Sequence, residues 1–179
     1  KLADLGTLTL SGARSTDGFG SLESKLNDRQ KENITQYDIS TSLEFGKFFP
    51  QRTGVSLPMY FGYSESFSNP QFNPLDPDVP FEDALNSLED DAQRSQLKRI
   101  AQDYTKRQSI NFTNIKKNRI GGAGKPRIYD IENFNVSLGY SQIYRRNINL
   151  EYDNQKDYLG SLGYNFGTQA KYISPFSKW

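Results

Sequence analysis

The chain has 179 residues, a formal net charge of +1 from 22 Lys and Arg against 21 Asp and Glu, and neither Cys nor His. That length suits one domain, or one domain with an appended helical insert, and the balanced charge supplies no field of one sign to draw in nucleic acid. The absence of Cys and His removes disulfides, thiol nucleophiles, most zinc sites and any Ser-His-Asp arrangement within these residues, leaving enzyme chemistry few tools.

No run approaches the roughly 20 apolar residues of a membrane helix, and the mean hydropathy of -0.76 argues against a helical membrane protein. It leaves a membrane barrel open, because only alternate residues of a barrel wall meet lipid. The chain starts at Lys1 without a charged-then-apolar leader, and it is expected to be an internal segment of something longer.

In chain order, a weak strand is predicted over residues 2–14, followed by a polar loop over 15–33. Residues 34–49 alternate with period two: Tyr37, Ile39, Thr41, Leu43 and Phe45 on one face, Gln36, Asp38, Ser40, Ser42 and Glu44 on the other. Residues 54–67 repeat the pattern, with Val55, Leu57, Met59, Phe61 and Tyr63 opposite Ser56, Pro58, Tyr60, Gly62 and Ser64. Pro58 cannot donate to a ladder, so an edge or a bulge is expected there. The prolines at 70, 74, 77 and 80 predict an irregular turn, with Asp76 or Asp78 available as a helix N-cap. Helical spacing of Phe81, Leu85, Leu88, Ala92, Leu97, Ile100 and Tyr104, with a slip in the middle, predicts one helix of about 24 residues, roughly 36 Å long. Its charge places it outside a bilayer, as an insert between strands.

A second weak strand is expected over residues 107–116, then the flexible linker Gly121-Gly122-Ala123-Gly124-Lys125-Pro126. The alternation then appears three times. Phe134, Val136, Leu138 and Tyr140 face away from Asn135, Ser137, Gly139 and Ser141. Tyr144, Ile148, Leu150 and Tyr152 face away from Arg145, Asn147, Asn149 and Glu151. Tyr158, Leu162, Tyr164 and Phe166 face away from Ser161, Gly163, Asn165 and Gly167. Asp153-Asn154-Gln155-Lys156 reads as the turn joining the last two strands into a hairpin.

Two architectures alternate in this way, a soluble β module and a membrane barrel. Strands of 9 to 11 residues or more fit a membrane crossing, and soluble strands average nearer five or six. Faces of small and amide side chains suit a wet interior. Arg146, on an otherwise apolar face, must lie near an interface or at a change of register, since an Arg at the bilayer midplane costs roughly 2–4 kcal/mol. Asp130 and Glu132 share parity with Phe134, so that strand is expected to enter the membrane near Phe134. The expected fold is thus mainly β, an antiparallel transmembrane β-barrel segment with one helical extramembrane insert. Strands occupy 1–80 and 107–179, and the insert occupies 81–106.

Motifs of chemistry are weak. The glycine linker lacks the spacing of a phosphate loop. Asp76, Asp78, Glu82 and Asp83 lack the spacing and glycine of a calcium loop, and capping is the better reading. The basic residues from Lys98 to Arg119 are interleaved with acids and read as a solvated face. Asp38 and Glu44, about 20 Å apart along one strand, are too far apart for a glycosidase pair. No enzyme activity, cofactor or metal is expected.

The run Thr53-Gly54-Val55-Ser56-Leu57-Pro58-Met59-Tyr60-Phe61-Gly62-Tyr63-Ser64-Glu65-Ser66, then Asn73-Pro74-Leu75-Asp76-Pro77-Asp78, resembles the SprA/Sov family of cell-surface proteins. The likeness continues through Ile110-Asn111-Phe112-Thr113-Asn114-Ile115 and residues 128–176. The resemblance implies a piece of a very large outer-membrane barrel, the protein-conducting translocon of type 9 secretion, which supports export and gliding motility. It also implies partners: the rest of the same barrel chain, a PorV-type outer-membrane barrel, a periplasmic plug protein, secreted cargo and membrane lipid, but no nucleic acid.

On that expectation Tyr37, Ile39, Leu43, Phe45, Phe134, Val136, Leu138, Ile148, Leu150, Leu162, Tyr164 and Phe166 face lipid or a partner, and Asp38, Ser40, Ser42, Asn147, Asn149 and Glu151 face the lumen. The alternative from the residues alone is a soluble β-rich adhesion or scaffold module with a dry core.

Overall fold

The computed structural model describes residues 5–16, 31–121 and 126–167. Its strands are β1 (Gly6–Ser15), β2 (Glu32–Glu44), β3 (Val55–Ser56), β4 (Pro58–Pro70), β5 (Phe72–Asn73), β6 (Asp76–Pro80), β7 (Asp103–Lys117), β8 (Phe134–Asn147) and β9 (Leu150–Tyr164). Two helices, α1 (Phe81–Asn86) and α2 (Asp91–Ala101), lie between β6 and β7. One antiparallel sheet runs in the order β1-β2-β4-β7-β8-β9, with β3 pairing beside it on β7, and β5-β6 form a separate small hairpin. The long strands thus follow chain order. Among the described residues β1 and β9 pair with no further strand, so the sheet is open.

The mainly antiparallel β fold expected from alternation is present, and so is the helical interruption. The loop expected over 15–33 and the glycine linker fall largely outside the described residues. The ladder breaks at Leu57, one residue before the proline that the sequence marked. Glu44 closes the break: its Oε1 accepts the Leu57 N–H at 2.6 Å and the Gly46 N–H at 3.1 Å, and the Phe45 N–H donates to the Leu57 carbonyl at 2.9 Å. Pro58 opens β4 at its first position, where its missing donor costs least.

Three expectations need correction. The single helix over 81–106 is two helices separated at residues 87–90. Asp90, not Asp76 or Asp78, is the side-chain cap, accepting the Ala92 N–H at 2.9 Å; Pro80 precedes α1 and both aspartates lie on β6. The slip in the helical spacing marks this break. Tyr104 and Lys106, counted with the helix, belong to β7, whose mixed face of Tyr104, Lys106, Gln108 and Ile110 hides its period of two. The hairpin turn is Ile148-Asn149, not residues 153–156, with the Asn149 N–H donated to Asn147 Oδ1 at 2.9 Å. The polar run 153–156 lies within β9 because its partners on β8 are polar or amphipathic too: Arg145↔Asp153, Tyr144↔Asn154, Gln142↔Lys156.

The residues buried among those described are Phe81, Ala84, Ala101 and Asn73, all in the insert or at its end. Among the described residues, no second layer covers either face of the seven-stranded sheet. Its apolar side chains stay open to their surroundings, Leu162 at 71% and Leu138 at 51% exposure.

Gly54 sits at φ +65°, and a Cβ there would meet the Asn118 carbonyl oxygen at 2.3 Å. The Gly54 carbonyl accepts the Asn118 N–H at 2.6 Å, tying the β3 end to the end of β7. Left-handed backbone and that approach together require glycine. Gly54→Ala in the full-length protein is expected to speed hydrogen exchange at the Asn118 amide about tenfold, a strain of about 1.4 kcal/mol, without altering exchange in β9. Unchanged exchange at Asn118 would refute the tie.

Candidate functional site: a two-faced wall and its polar rim

Cross-strand partners in an antiparallel sheet share a face, so the registers assign every strand residue to one side. Tyr37, Ile39 and Leu43 of β2 lie on the same face as Leu8 and Leu10 of β1, Met59, Phe61 and Tyr63 of β4, Ile110 and Phe112 of β7, Val136, Leu138 and Tyr140 of β8, and Tyr158 and Leu162 of β9. Phe134 and Tyr164 close this face at one end, their rings 5.1 Å apart. A bulge on β7 at Asn114, at φ 55°, keeps Phe112 and Ile115 on the same side; Ser137 Oγ accepts the Asn114 N–H at 2.9 Å.

The opposite face carries Asp38, Ser40 and Ser42 with Thr9 and Ser11 on β1, Ser64 and Ser66 on β4, Arg107 and Ser109 on β7, Ser141 on β8 and Ser161 on β9. Ile34, Tyr60, Ile143 and Leu159 are its large apolar or aromatic exceptions. Short hydroxyls dominate it, and two of its cations have acidic neighbours: Arg145 stands opposite Asp153, and Arg107 is close enough to act on the Asp38 charge, while Lys116 stands opposite Asn135.

Several residues singled out from sequence lie off these faces. Phe45 begins a 3-10 turn (Phe45–Phe48), and Phe166 follows the end of β9. Asn147, Ile148 and Asn149 make the β8-β9 turn, and the register shifts between Arg145 and Asn147, so Leu150 and Glu151 follow no regular alternation with β8. Ile148, Asn149 and Glu151 instead line a cavity of about 690 Å³ together with Arg99 and Ile100 of α2.

The apolar face has a structured border on the side of the insert, which the sequence did not reveal. Glu65 Oε1 accepts hydroxyls from Tyr63 and Tyr104, each at 2.6 Å. The Lys106 ammonium lies 5.3 Å from the Tyr63 ring centroid, and the Arg146 guanidinium lies 5.0 Å from that of Tyr104. Rings of Tyr37, Phe67, Tyr104 and Tyr144 follow one another across β2, β4, β7 and β8 at centroid distances of 5.7, 5.0 and 6.0 Å. Beside them an amide ladder crosses to β9: Gln108 Nε2 donates to Gln142 Oε1 and Gln142 Nε2 to Asn154 Oδ1, both at 2.6 Å. In the sequence Glu65 follows an alternating strand and Lys106 falls within the expected helical insert, so nothing in one dimension marks them as partners on neighbouring strands.

At the far end the charges are paired. Lys117 meets Glu132 at 3.2 Å, and Arg119 bonds Asp130. The Glu132 carboxyl is held below its ordinary value, first by its own backbone N–H and then by Lys117. Asp130 and Glu132 thus sit outside β8, whose first residue is Phe134: Glu132 lies in a 3-10 turn (Ile131–Asn133) that Asp130 precedes, and not on an earlier stretch of the strand as their shared parity with Phe134 implies.

Residues 1–85 match the family model SprA_N, described as a motility related/secretion protein. The match covers 85 of the 179 residues, and over that stretch the chain is similar to the family. No curated protein sequence matches it. The match spans β1 to β6, so it includes the strands on which Tyr37, Ile39, Asp38 and Glu65 lie, and it ends within α1.

Because one Glu65 oxygen serves two tyrosyl hydroxyls, either alone keeps the carboxylate partly satisfied, whereas losing both leaves it without either. Tyr63→Phe and Tyr104→Phe are each expected to cost about 1 kcal/mol in unfolding of the full-length protein, and the double variant more than their sum. Additive losses would show that the two hydroxyls do not share the carboxylate.

Proposed function

We propose that this chain is a wall segment of a giant outer-membrane β-barrel in the SprA-family secretion and motility machinery, with the apolar face toward bilayer or a partner and the hydroxyl face toward a protein-conducting lumen. The observation that carries the reading is the slant of the apolar border. On this face the apolar band gives way to glycine and polar side chains after Leu10 on β1, Tyr37 on β2, Tyr63 on β4, Ile110 on β7, Tyr140 on β8 and Tyr158 on β9, with Thr41 inside the band on β2. The register line through Tyr37 runs Gly12 on β1 and Glu65, Lys106, Tyr144, Asn154 on the other side. The border therefore stands two residues from that line on β1, on it at β2, two away on β4 and four away on β7, β8 and β9.

From β2 to β9 the shift totals four residues of strand, about 13 Å, over four strand spacings, about 19 Å, a mean inclination of about 35° that is taken entirely between β2 and β7. Strands in membrane barrels tilt by about 35–45° from the membrane normal, and a flat bilayer surface then cuts successive strands along such a line. A soluble sandwich places no planar boundary across its core. The tyrosines that end the apolar band, Tyr37, Tyr63, Tyr140 and Tyr158, suit the aromatic girdle of a membrane interface.

The function needs no covalent chemistry. The conducting side offers side chains that form and release hydrogen bonds quickly, and two of its cations have carboxylate neighbours, so a passing polypeptide meets no sticky patch. The open sheet requires further strands to complete a pore. Family resemblance supports the same chain as their source, with a PorV-type barrel, a periplasmic plug and secreted cargo as partners.

The sequence holds no Cys, so single cysteines report on environment cleanly. In the full-length protein in intact outer membranes, Leu138→Cys and Leu162→Cys are expected to resist a membrane-impermeant maleimide, while Ser40→Cys and Ser141→Cys react. Leu138→Arg should cost about 2–4 kcal/mol and reduce the folded yield. Equal labelling at all four cysteines, or a full-length protein that partitions with the aqueous fraction without detergent, would favour the soluble β module.

A further inference from the structure

On the insert-side rim of the apolar face, cations outnumber carboxylates. Beyond the slanted border, that face bears Arg14 on β1, Lys106 on β7, Arg146 on β8 and Lys156 on β9, against the single carboxylate of Glu65. Glu65 already holds two tyrosyl hydroxyls. None of the four cations comes within ion-pair distance of a carboxylate among the described residues, and Lys106, opposite Glu65, is the one whose charge acts on that carboxylate.

Two of these cations are fixed in place. Arg146 donates to the Arg99 carbonyl and lies over Tyr104, and Lys106 lies over Tyr63. Stacking holds each stem on the wall while N–H groups remain to be satisfied. Lys106 and Arg146 are diagonal cross-strand neighbours, about 7–8 Å apart at their backbones. The Arg99 carbonyl brings the last turn of α2, with Lys98 and Arg99, to the same rim, while Asp90 and Asp91 stand at the other end of that helix, about 15 Å away.

We propose that this rim binds the phosphate groups of anionic lipid headgroups, with Lys106, Arg146 and Lys156 as the recognising cations. The inference rests on the membrane-wall reading. Tyr63, Tyr140 and Tyr158 end the apolar band and Lys106, Arg146 and Lys156 lie beyond it on the same face, which matches the layering of a bilayer surface, where apolar tails give way to phosphates. An acidic protein partner would meet the same cations, but a slanted border cut by a flat surface favours lipid as the occupant.

The test uses the full-length protein in nanodiscs of phosphatidylcholine with about one third phosphatidylglycerol, scoring the lipids that remain bound after detergent transfer by native mass spectrometry. The wild type is expected to retain phosphatidylglycerol about tenfold above its share. Lys106→Gln/Lys156→Gln should bring retention close to parity, and adding Arg146→Gln should complete the loss. Because Arg146 also braces α2, the double variant is the decisive one. Lys116→Gln, on the other face, should change nothing, and Lys106→Arg/Lys156→Arg should preserve retention.

Unselective retention by the wild type, or unchanged retention in the double variant, would overturn the proposal. So would release of the lipid by millimolar inorganic phosphate, which would indicate a free-anion site. A protein that never enters nanodiscs would instead overturn the membrane-wall reading beneath it.

Discussion

A single-layer sheet with two unlike faces and no covering layer is the constraint on which everything else depends. Apolar burial stabilises ordinary domains by stacking a second layer on the greasy side of a sheet. Here the buried side chains are a handful beneath the insert, and the strands of the wall contribute none of them. The stabilising environment must come from outside these residues, and the hydroxyl face, with its short side chains and charges, is already suited to water. Hydrogen bonding between neighbours holds the sheet together laterally; what it touches gives it depth.

Much of the fold was legible because the two faces differ so sharply in chemistry. Tyr37, Ile39 and Leu43 alternate with Asp38, Ser40 and Ser42 with no competing period, and the same holds for Phe134 to Tyr140. Legibility failed where a strand leaves the apolar band. In β7, Tyr104, Lys106 and Gln108 occupy one face yet share no hydropathy, so a helix seemed to continue through them. In β9, residues 153–156 looked like a turn because they lie on the polar side of the slanted border, where strands carry amides and charges on both faces.

The same reasoning explains why the border was invisible in one dimension. Glu65 alone is an acid in a greasy strand, and Lys106 alone is a base next to a helix. Only the register places Glu65 directly opposite Lys106 and brings the Tyr104 hydroxyl to the carboxylate. Slant, girdle and amide ladder are properties of several strands together, and a sequence records each strand separately. The family match over residues 1–85 describes none of these features.

The two-residue connection at Ile148-Asn149 has a consequence for how such a wall comes into being. Closing a loop costs more entropy as it lengthens, and two residues compare with the 32 between β4 and β7, a difference of about 2.5 kcal/mol for flexible chain. The β8-β9 hairpin is therefore the piece that can zip first, presenting a finished edge for β7. Its neighbours toward the N-terminus must wait for distant segments to meet. A sheet ordered along the chain, yet linked by spans so uneven in length, would grow from its C-terminal side, strand by strand, against a template it has made for itself.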